Sequence, residues 1–258
     1  MDILEELSAR RRADAEAAAR TVPYAALLKR IEALSAPRDV RAAFAGPGLH
    51  VIAELKKASP SEGLIRADFD PVALARAYAA NGAAAISVLC EPHRFLGDEA
   101  FLRAVRPVVE VPLLYKDFLT TEYQVAAARA AGADVCLLIA AVLDDARLRR
   151  LLDLARTFGL TALVETHTEE EVRRAAGVGA KLMGVNCRDL RTFRTDPNLT
   201  AELVAKIPDG IVKIGESGLK TREDLLKVRA AGADGFLIGT TLMRAPDPGA
   251  KLRELCGK

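Results

Sequence analysis

A carboxylate and an amine stand two residues apart in VIAELKKASPSEG, residues 51–63. They are Glu54 and Lys56. Side chains of a strand alternate between faces, so Ile52, Glu54 and Lys56 share one face and Lys57 turns to the other. If the shared face looks into a core, an opposite-charge pair closes the strand's carboxyl end. If it looks to water, it is a surface ion pair of little consequence. The next stretch, with Ser59, Ser61 and Gly63, is a polar loop with donors suited to an anion. Polar groups end five more of the apolar runs: Lys116-Asp117-Phe118, Glu165, Asn186-Cys187-Arg188-Asp189, Glu216-Ser217-Gly218 and Gly239-Thr240. An amine and a carboxylate held apart in one partly buried site can work as general acid and base.

The rhythm of the chain says which elements position these groups. From residue 49 short β-type runs alternate with helical ones. Strands are expected over 51–56, 85–89, 112–116, 135–139, 161–165, 182–186, 211–215 and 235–238, and helices over 71–80, 98–105, 121–131, 144–158, 168–177, 198–205, 221–231 and 247–255. Asn81-Gly82-Ala83, Ala131-Gly132-Ala133, Val178-Gly179-Ala180 and Ala231-Gly232-Ala233 end four of the helices alike. Each glycine suits a left-handed cap before the next strand. Strands separated by helices pair in parallel through right-handed crossovers. Eight such units imply a (β/α)8 TIM barrel. The rival, a doubly wound open sheet, usually carries a glycine-rich turn after its first strand. Here that strand ends in Lys56-Lys57-Ala58-Ser59. Residues 1–47 differ: two helices, 2–20 and 23–34, then the turn Ala45-Gly46-Pro47-Gly48. We therefore expect one domain over 1–258, a barrel over 49–258 and an N-terminal helical extension over 1–47 covering one end.

In such a barrel, sites form at the carboxyl ends of the strands. Five charged ends would then converge on one mouth, and unpaired charge there costs several kcal/mol per group, roughly. Parity puts Lys116 with Leu114, and Glu165 with Leu163, on interior faces. If Glu216 looks inward, Lys213 looks out, and Cys187 belongs to packing. Gly218, Gly239 and a short helix from Thr240 suit a phosphate group approached closely by backbone. Lys plus Arg is 37 against 35 Asp plus Glu, a net charge of +2. That gives no field for nucleic acid. No apolar run is long enough for a membrane span, and MDILEELSARRR has no signal core. A cytoplasmic protein is expected. Four cysteines and three histidines are scattered, so neither disulfides nor a metal centre are expected.

The motifs IAELKKASPSEGLIRADFDP, SVLCEPHRFLGD, PLLYKDFLTTEYQ, ALVETHTEEE, GVNCRDLRTF, IGESGL and FLIGTTLMRAPDP, with the leading ILEEL and VPYAALL, resemble the indole-3-glycerol phosphate synthase family along residues 2–255. The resemblance implies a decarboxylating cyclase of tryptophan biosynthesis, a carbon–carbon carboxy-lyase without metal or organic cofactor. Its substrate would be 1-(2-carboxyphenylamino)-1-deoxyribulose 5-phosphate. Lys116 would protonate the substrate carbonyl. Glu165 and Lys56 would act in the later dehydration, with Glu54 and Asn186 holding hydroxyls and positioning the lysines. Arg188, Ser217 and Glu216 would line the pocket, and Phe95 and Phe118 would flank the aromatic ring beneath the leading helix. Ser59, Gly218, Gly239 and Thr240 would hold phosphate. The segment from Ser59 to Asp68 would be a mobile cover.

Tyr115, Cys90, Asp98, Gly215 and Thr240 depart from residues common in the family. Asp98, placed near the mouth, would work against a substrate carboxylate. Another phosphosugar barrel enzyme would share the phosphate loops, but not Glu54, Lys56, Lys116, Glu165 and Asn186 together. A non-catalytic binding protein would not require both acid and base. The expected partner is a small phosphorylated molecule, with no nucleic acid or membrane, and the expected state is a monomer or weak homodimer.

Overall fold

The structure is a computed structural model that describes residues 3–188 and 197–258. Asp2, Asp189 and the last residues of GVNCRDLRTF lie outside it. Ten strands are described: β1 (His50–Leu55), β2 (Ala58–Ser59), β3 (Gly63–Leu64), β4 (Ala85–Leu89), β5 (Leu113–Lys116), β6 (Val135–Ile139), β7 (Thr161–Thr166), β8 (Leu182–Asn186), β9 (Val212–Glu216) and β10 (Gly235–Ile238). All but β2 and β3 form a closed parallel barrel in the order β1-β10-β9-β8-β7-β6-β5-β4, and β2 and β3 form a small hairpin. The helices are α1 (Ile3–Thr21), α2 (Tyr24–Glu32), α3 (Pro71–Ala80), α4 (Glu99–Val105), α5 (Glu122–Ala130), α6 (Asp145–Thr157), α7 (Glu169–Gly177), α8 (Pro197–Val204), α9 (Arg222–Ala230), α10 (Thr240–Met243) and α11 (Pro248–Cys256).

Most boundary differences have one cause. Asp98, Thr121, Asp144, Thr168, Thr221 and Asp247 were expected as first helical residues and are N-caps instead. Each accepts a backbone N–H from the first turn through its side chain. A cap is half outside its helix by construction. Gly82, Gly132, Gly179 and Gly232 all have positive φ, as expected of left-handed residues beyond helix ends.

Strand alternation builds two cores. Ile52, Ala85, Leu114, Val135, Leu137, Leu163, Leu182, Ile214 and Leu237 fill the barrel interior. Val51, Ala53, Leu113, Tyr115, Cys136, Val164, Met183 and Phe236 pack outward under the helices. Cys187 joins that outer layer, and Lys213 reaches Asp209 at 3.5 Å rather than the interior. The N-terminal extension touches both ends of the barrel, not one. Leu4 and Leu7 of α1 join the interior cluster at the mouth. Phe44 plugs the opposite end, where a Cβ on Gly235 would meet its ring at 2.6 Å. Gly235 is thus a glycine because the plug occupies the space of a side chain.

Candidate active site

The inward faces of five strands, β1, β5, β7, β8 and β9, deliver polar and charged groups to one mouth. Lys116 ends β5, and its Nζ donates to Glu165 Oε2 of β7 at 2.7 Å and to Glu216 Oε2 of β9 at 3.0 Å. Asn186 of β8 donates through Nδ2 to Glu165 Oε1 at 3.1 Å. Just past β1, Lys56 Nζ lies 2.9 Å from Glu54 Oε1. Burial by itself would lower the Lys116 pKa, but Glu165, Glu216 and Glu54 outweigh it and raise it above the ordinary lysine value. Burial would likewise raise Glu165, yet Lys116 and the His167 ring hold it well below the usual carboxylate range. Glu216 goes the other way. Burial, with Glu165 and Glu54 nearby, pushes it up to about 7 in spite of Lys116. Two carboxylates sharing one ammonium are thus driven apart in proton affinity.

These groups line a cavity of about 730 Å³ that is also lined by Ser59, Phe95, Phe118, Arg188, Ser217, Gly218, Gly239 and Thr240. One end is apolar. Phe95 and Phe118 lie with ring centroids 6.3 Å apart and planes at 41°, and Ile3, Leu4 and Leu7 of α1 close over the same cavity. Phe95 is set by a buried carboxylate. Glu91 is fully buried and accepts the backbone N–H groups of His93, Arg94 and Phe95 at 2.8, 2.8 and 3.0 Å. Phe118 is set by Asp117, which accepts its N–H at 2.8 Å and binds Arg11 of α1 at 2.6 Å.

The other end is built from loops. Ser217 and Gly218 follow β9 with φ of 64° and 74°. A left-handed serine costs on the order of 1 kcal/mol, a strain that tends to persist where a ligand is bound. Gly239 caps the short α10. A Cβ there would sit 2.2 Å from Glu54 Oε1 and 2.9 Å from Lys56 Nζ, so the missing side chain makes room for the ion pair as well as for a ligand. The β2–β3 hairpin stands beside this end. Arg188 Nη1 donates to Ser61 Oγ at 2.8 Å, and Arg66 donates to the carbonyls of Met243 and Ala245 at 3.2 and 3.1 Å. Glu62 pairs with Arg244.

The sequence model of the family described as indole-3-glycerol phosphate synthase matches residues 4–255. The chain belongs to this family. Relatives bearing the indole-3-glycerol phosphate synthase name include one from Parafrankia sp. (strain EAN1pec), 46% identical over 96% of this chain and 92% of its own length. Another, from Roseiflexus sp. (strain RS-1), is 46% identical over 99% and 98%. Among solved structures, 3-hexulose-6-phosphate synthase from Salmonella typhimurium superposes with a TM-score of 0.65 at 14% identity, over 81% of this chain and 97% of its own. Thiamine phosphate pyrophosphorylase from Pyrococcus furiosus gives 0.60 at 17%, over 80% and 93%. At such identities the likeness is one of fold.

Within this member of the family, sequence reasoning passed over several groups. His167 sits directly behind Glu165, with Nε2 3.3 Å from Oε1. Its signal was present in Glu165-Thr166-His167, because i and i+2 share a face past the end of a strand. Arg11 and Glu91 carried no such signal, since their partners are set by tertiary contacts 106 residues away and by a loop turning back on itself. Asp98 is corrected. It is exposed, caps α4 by accepting the Ala100 N–H at 2.8 Å, and does not line the cavity. Gly215 faces the helix layer, where a Cβ would meet Val228 at 3.0 Å.

Proposed function

We propose that this chain closes the indole ring of 1-(2-carboxyphenylamino)-1-deoxyribulose 5-phosphate, giving indole-3-glycerol phosphate, carbon dioxide and water. The observation that carries the reading is Lys116. It is an ammonium held at 2.7 and 3.0 Å by two carboxylates, in a cavity with an aromatic end and a glycine-lined loop end. Its raised proton affinity keeps it charged at neutral pH, ready to polarise and protonate the substrate carbonyl. The ring carbon bearing the carboxylate attacks that carbonyl carbon. Loss of carbon dioxide returns the electron pair to the ring and restores aromaticity. The hydroxyl then leaves as water while a base removes a proton from the adjacent CH₂. Glu165 and Lys56 serve this second stage.

Glu54 and Asn186 hold the substrate hydroxyls and fix the lysines. Arg188, Ser217 and Glu216 complete the polar wall, and Phe95 and Phe118 sandwich the carboxyphenyl group under α1. Phosphate sits against Ser59, Gly218, Gly239 and Thr240, with the segment from Ser59 to Asp68 as a cover. The protein acts as a cytoplasmic monomer or weak homodimer on this small phosphorylated substrate. Among the described residues no helix is long and apolar enough to cross a membrane. Following indole fluorescence with purified substrate tests the reading. Product is expected from the wild type, and folded protein that binds substrate without releasing product would sink it in favour of a binding protein.

A further inference from the structure

The ring closure above, on which this inference rests, takes up a proton. Decarboxylation removes the substrate's negative carboxylate as neutral carbon dioxide, so one proton enters from solvent in each turnover. The dehydration consumes one proton and releases one, leaving that balance unchanged. Lys116 gives its proton to the carbonyl while substrate fills the mouth, so recharging it needs an entry that the substrate does not block.

Behind Glu165 lie two titratable groups outside that mouth. His167 follows β7 and Glu171 lies in the first turn of α7, and neither lines the substrate cavity. Glu171 Oε2 accepts the His167 backbone N–H at 2.8 Å and stands 3.4 Å from Nδ1. The opposite ring nitrogen, Nε2, is buried and 3.3 Å from Glu165 Oε1, yet makes no aligned hydrogen bond among the described residues. Glu165 Oε2 is 2.7 Å from Lys116 Nζ. Both His167 and Glu171 keep 14% of their side-chain surface exposed although neither lines the cavity. We propose that Glu171 and His167 form a proton entry that recharges Lys116 through Glu165.

Lys116 loses a proton to the carbonyl oxygen. His167 passes its Nε2 proton to Glu165, which passes one to Lys116 Nζ. The neutral ring keeps its Nδ1 proton, so it turns over to bring the bare Nε2 to Glu171 and takes the replacement there from water by way of that carboxylate. The charged groups around the route favour this order. Glu165 faces Lys116 from β5, Glu216 from β9 and His167 from its own strand's end, while Glu54 of β1 acts on the same lysine. At rest, burial opposes a charge on His167, but Glu165 and Glu171 outweigh it and raise its pKa to about 10, so the ring is loaded. Glu165 stays anionic while Lys116 is charged. Once that lysine is neutral, the largest attraction that held the carboxylate anionic is gone, and it draws the proton from the ring.

His167 and Glu171 act through Glu165, so the test separates relay from scaffolding. The steady-state turnover rate at saturating substrate is measured for wild type, His167→Ala and Glu171→Gln in weakly buffered solution with a pH-indicator dye. His167→Ala should lose about tenfold or more in rate, with substrate affinity within about twofold, and should recover in rising imidazole. Glu171→Gln should lose less and respond to small buffer acids, which keeps the idea testable if the alanine variant does not fold. A rate within twofold of wild type in both variants overturns the route, as does a loss that neither imidazole nor buffer acids restore. Absence of product from the wild type overturns the ring-closing function itself, a different outcome from an active wild type with insensitive variants.

Discussion

At the residue scale, the site depends on a three-way division of charge among Lys116, Glu165 and Glu216. Replacing Lys116 by methionine removes the proposed acid and leaves two buried carboxylates without their shared cation. Turnover should fall by about 10²–10⁴-fold, while affinity for inorganic phosphate at the loop end changes little. Indole fluorescence and phosphate competition read the two effects, and near-normal turnover would remove Lys116 from its role. The same variant should lose stability as pH rises, because both carboxylates must then ionise side by side without compensation. Gly239→Ala probes the neighbouring pair. Its methyl would sit 2.2 Å from Glu54 Oε1, so Glu54 and Lys56 must shift. Overpacking of this kind costs about 1–3 kcal/mol. Activity should fall with the thermal midpoint, and an unchanged rate would separate the Glu54–Lys56 geometry from catalysis.

At the scale of elements, α1 is a roof fastened by charge. Arg11 donates to Asp117 at 2.9, 3.0 and 2.6 Å and also to Asp14 at 2.7 Å, and Asp14 lies 2.7 Å from His93 in the loop that carries Phe95. One network therefore joins the three elements bearing Leu7, Phe118 and Phe95. Removing one partner of a buried pair strands the other, at a cost of about 3–5 kcal/mol. Arg11→Met should lower the thermal midpoint and raise KM more than it lowers kcat, because it loosens the aromatic end and spares the acid–base groups. Restoring stability with Asp117→Asn in the same chain would confirm that the stranded carboxylate is the cause. How much was legible in sequence divides along the same line. Strand alternation is local, so parity alone could set Glu54 with Ile52, Lys116 with Leu114, Glu165 with Leu163, and Lys213 opposite Glu216, while which face is the interior needed the barrel as well. The reach of the N-terminal extension to both barrel ends could not, because Leu4 and Phe44 meet the interior through contacts far apart in sequence. Helix starts were misplaced by one residue where a side chain, rather than the backbone, opens the helix, as at Thr121 and Asp144.

At the scale of the whole molecule, the closed barrel sets its stability against its site. An apolar interior of Ile52, Leu114, Leu163 and Ile214 ends in a layer where Glu54, Glu165 and Glu216 are each less than 5% exposed. Such a layer leaves a signature in the pH dependence of folding. Glu216 has a folded pKa of about 7, above its ordinary 4.5. Its contribution to stability is therefore fully present below about 4.5 and is lost as pH rises through 7. His167, raised from 6.5 to about 10, contributes below 6.5 and loses that contribution as pH rises through 10. Glu165 has the opposite sign: its depressed value stabilises the fold above its ordinary pKa and is lost in acid. Glu216→Gln removes only the first of these. The thermal midpoint of the variant minus that of the wild type should thus become more positive between pH 5 and pH 8. The span corresponds to about 3 kcal/mol at most, at 1.36 kcal/mol per pKa unit. His167→Ala should show its change from about pH 6.5 to pH 10 instead. A Glu216→Gln difference that stays flat from pH 5 to 8 would mean that Lys116 keeps Glu216 fully ionised, placing the site's exchangeable proton on another group.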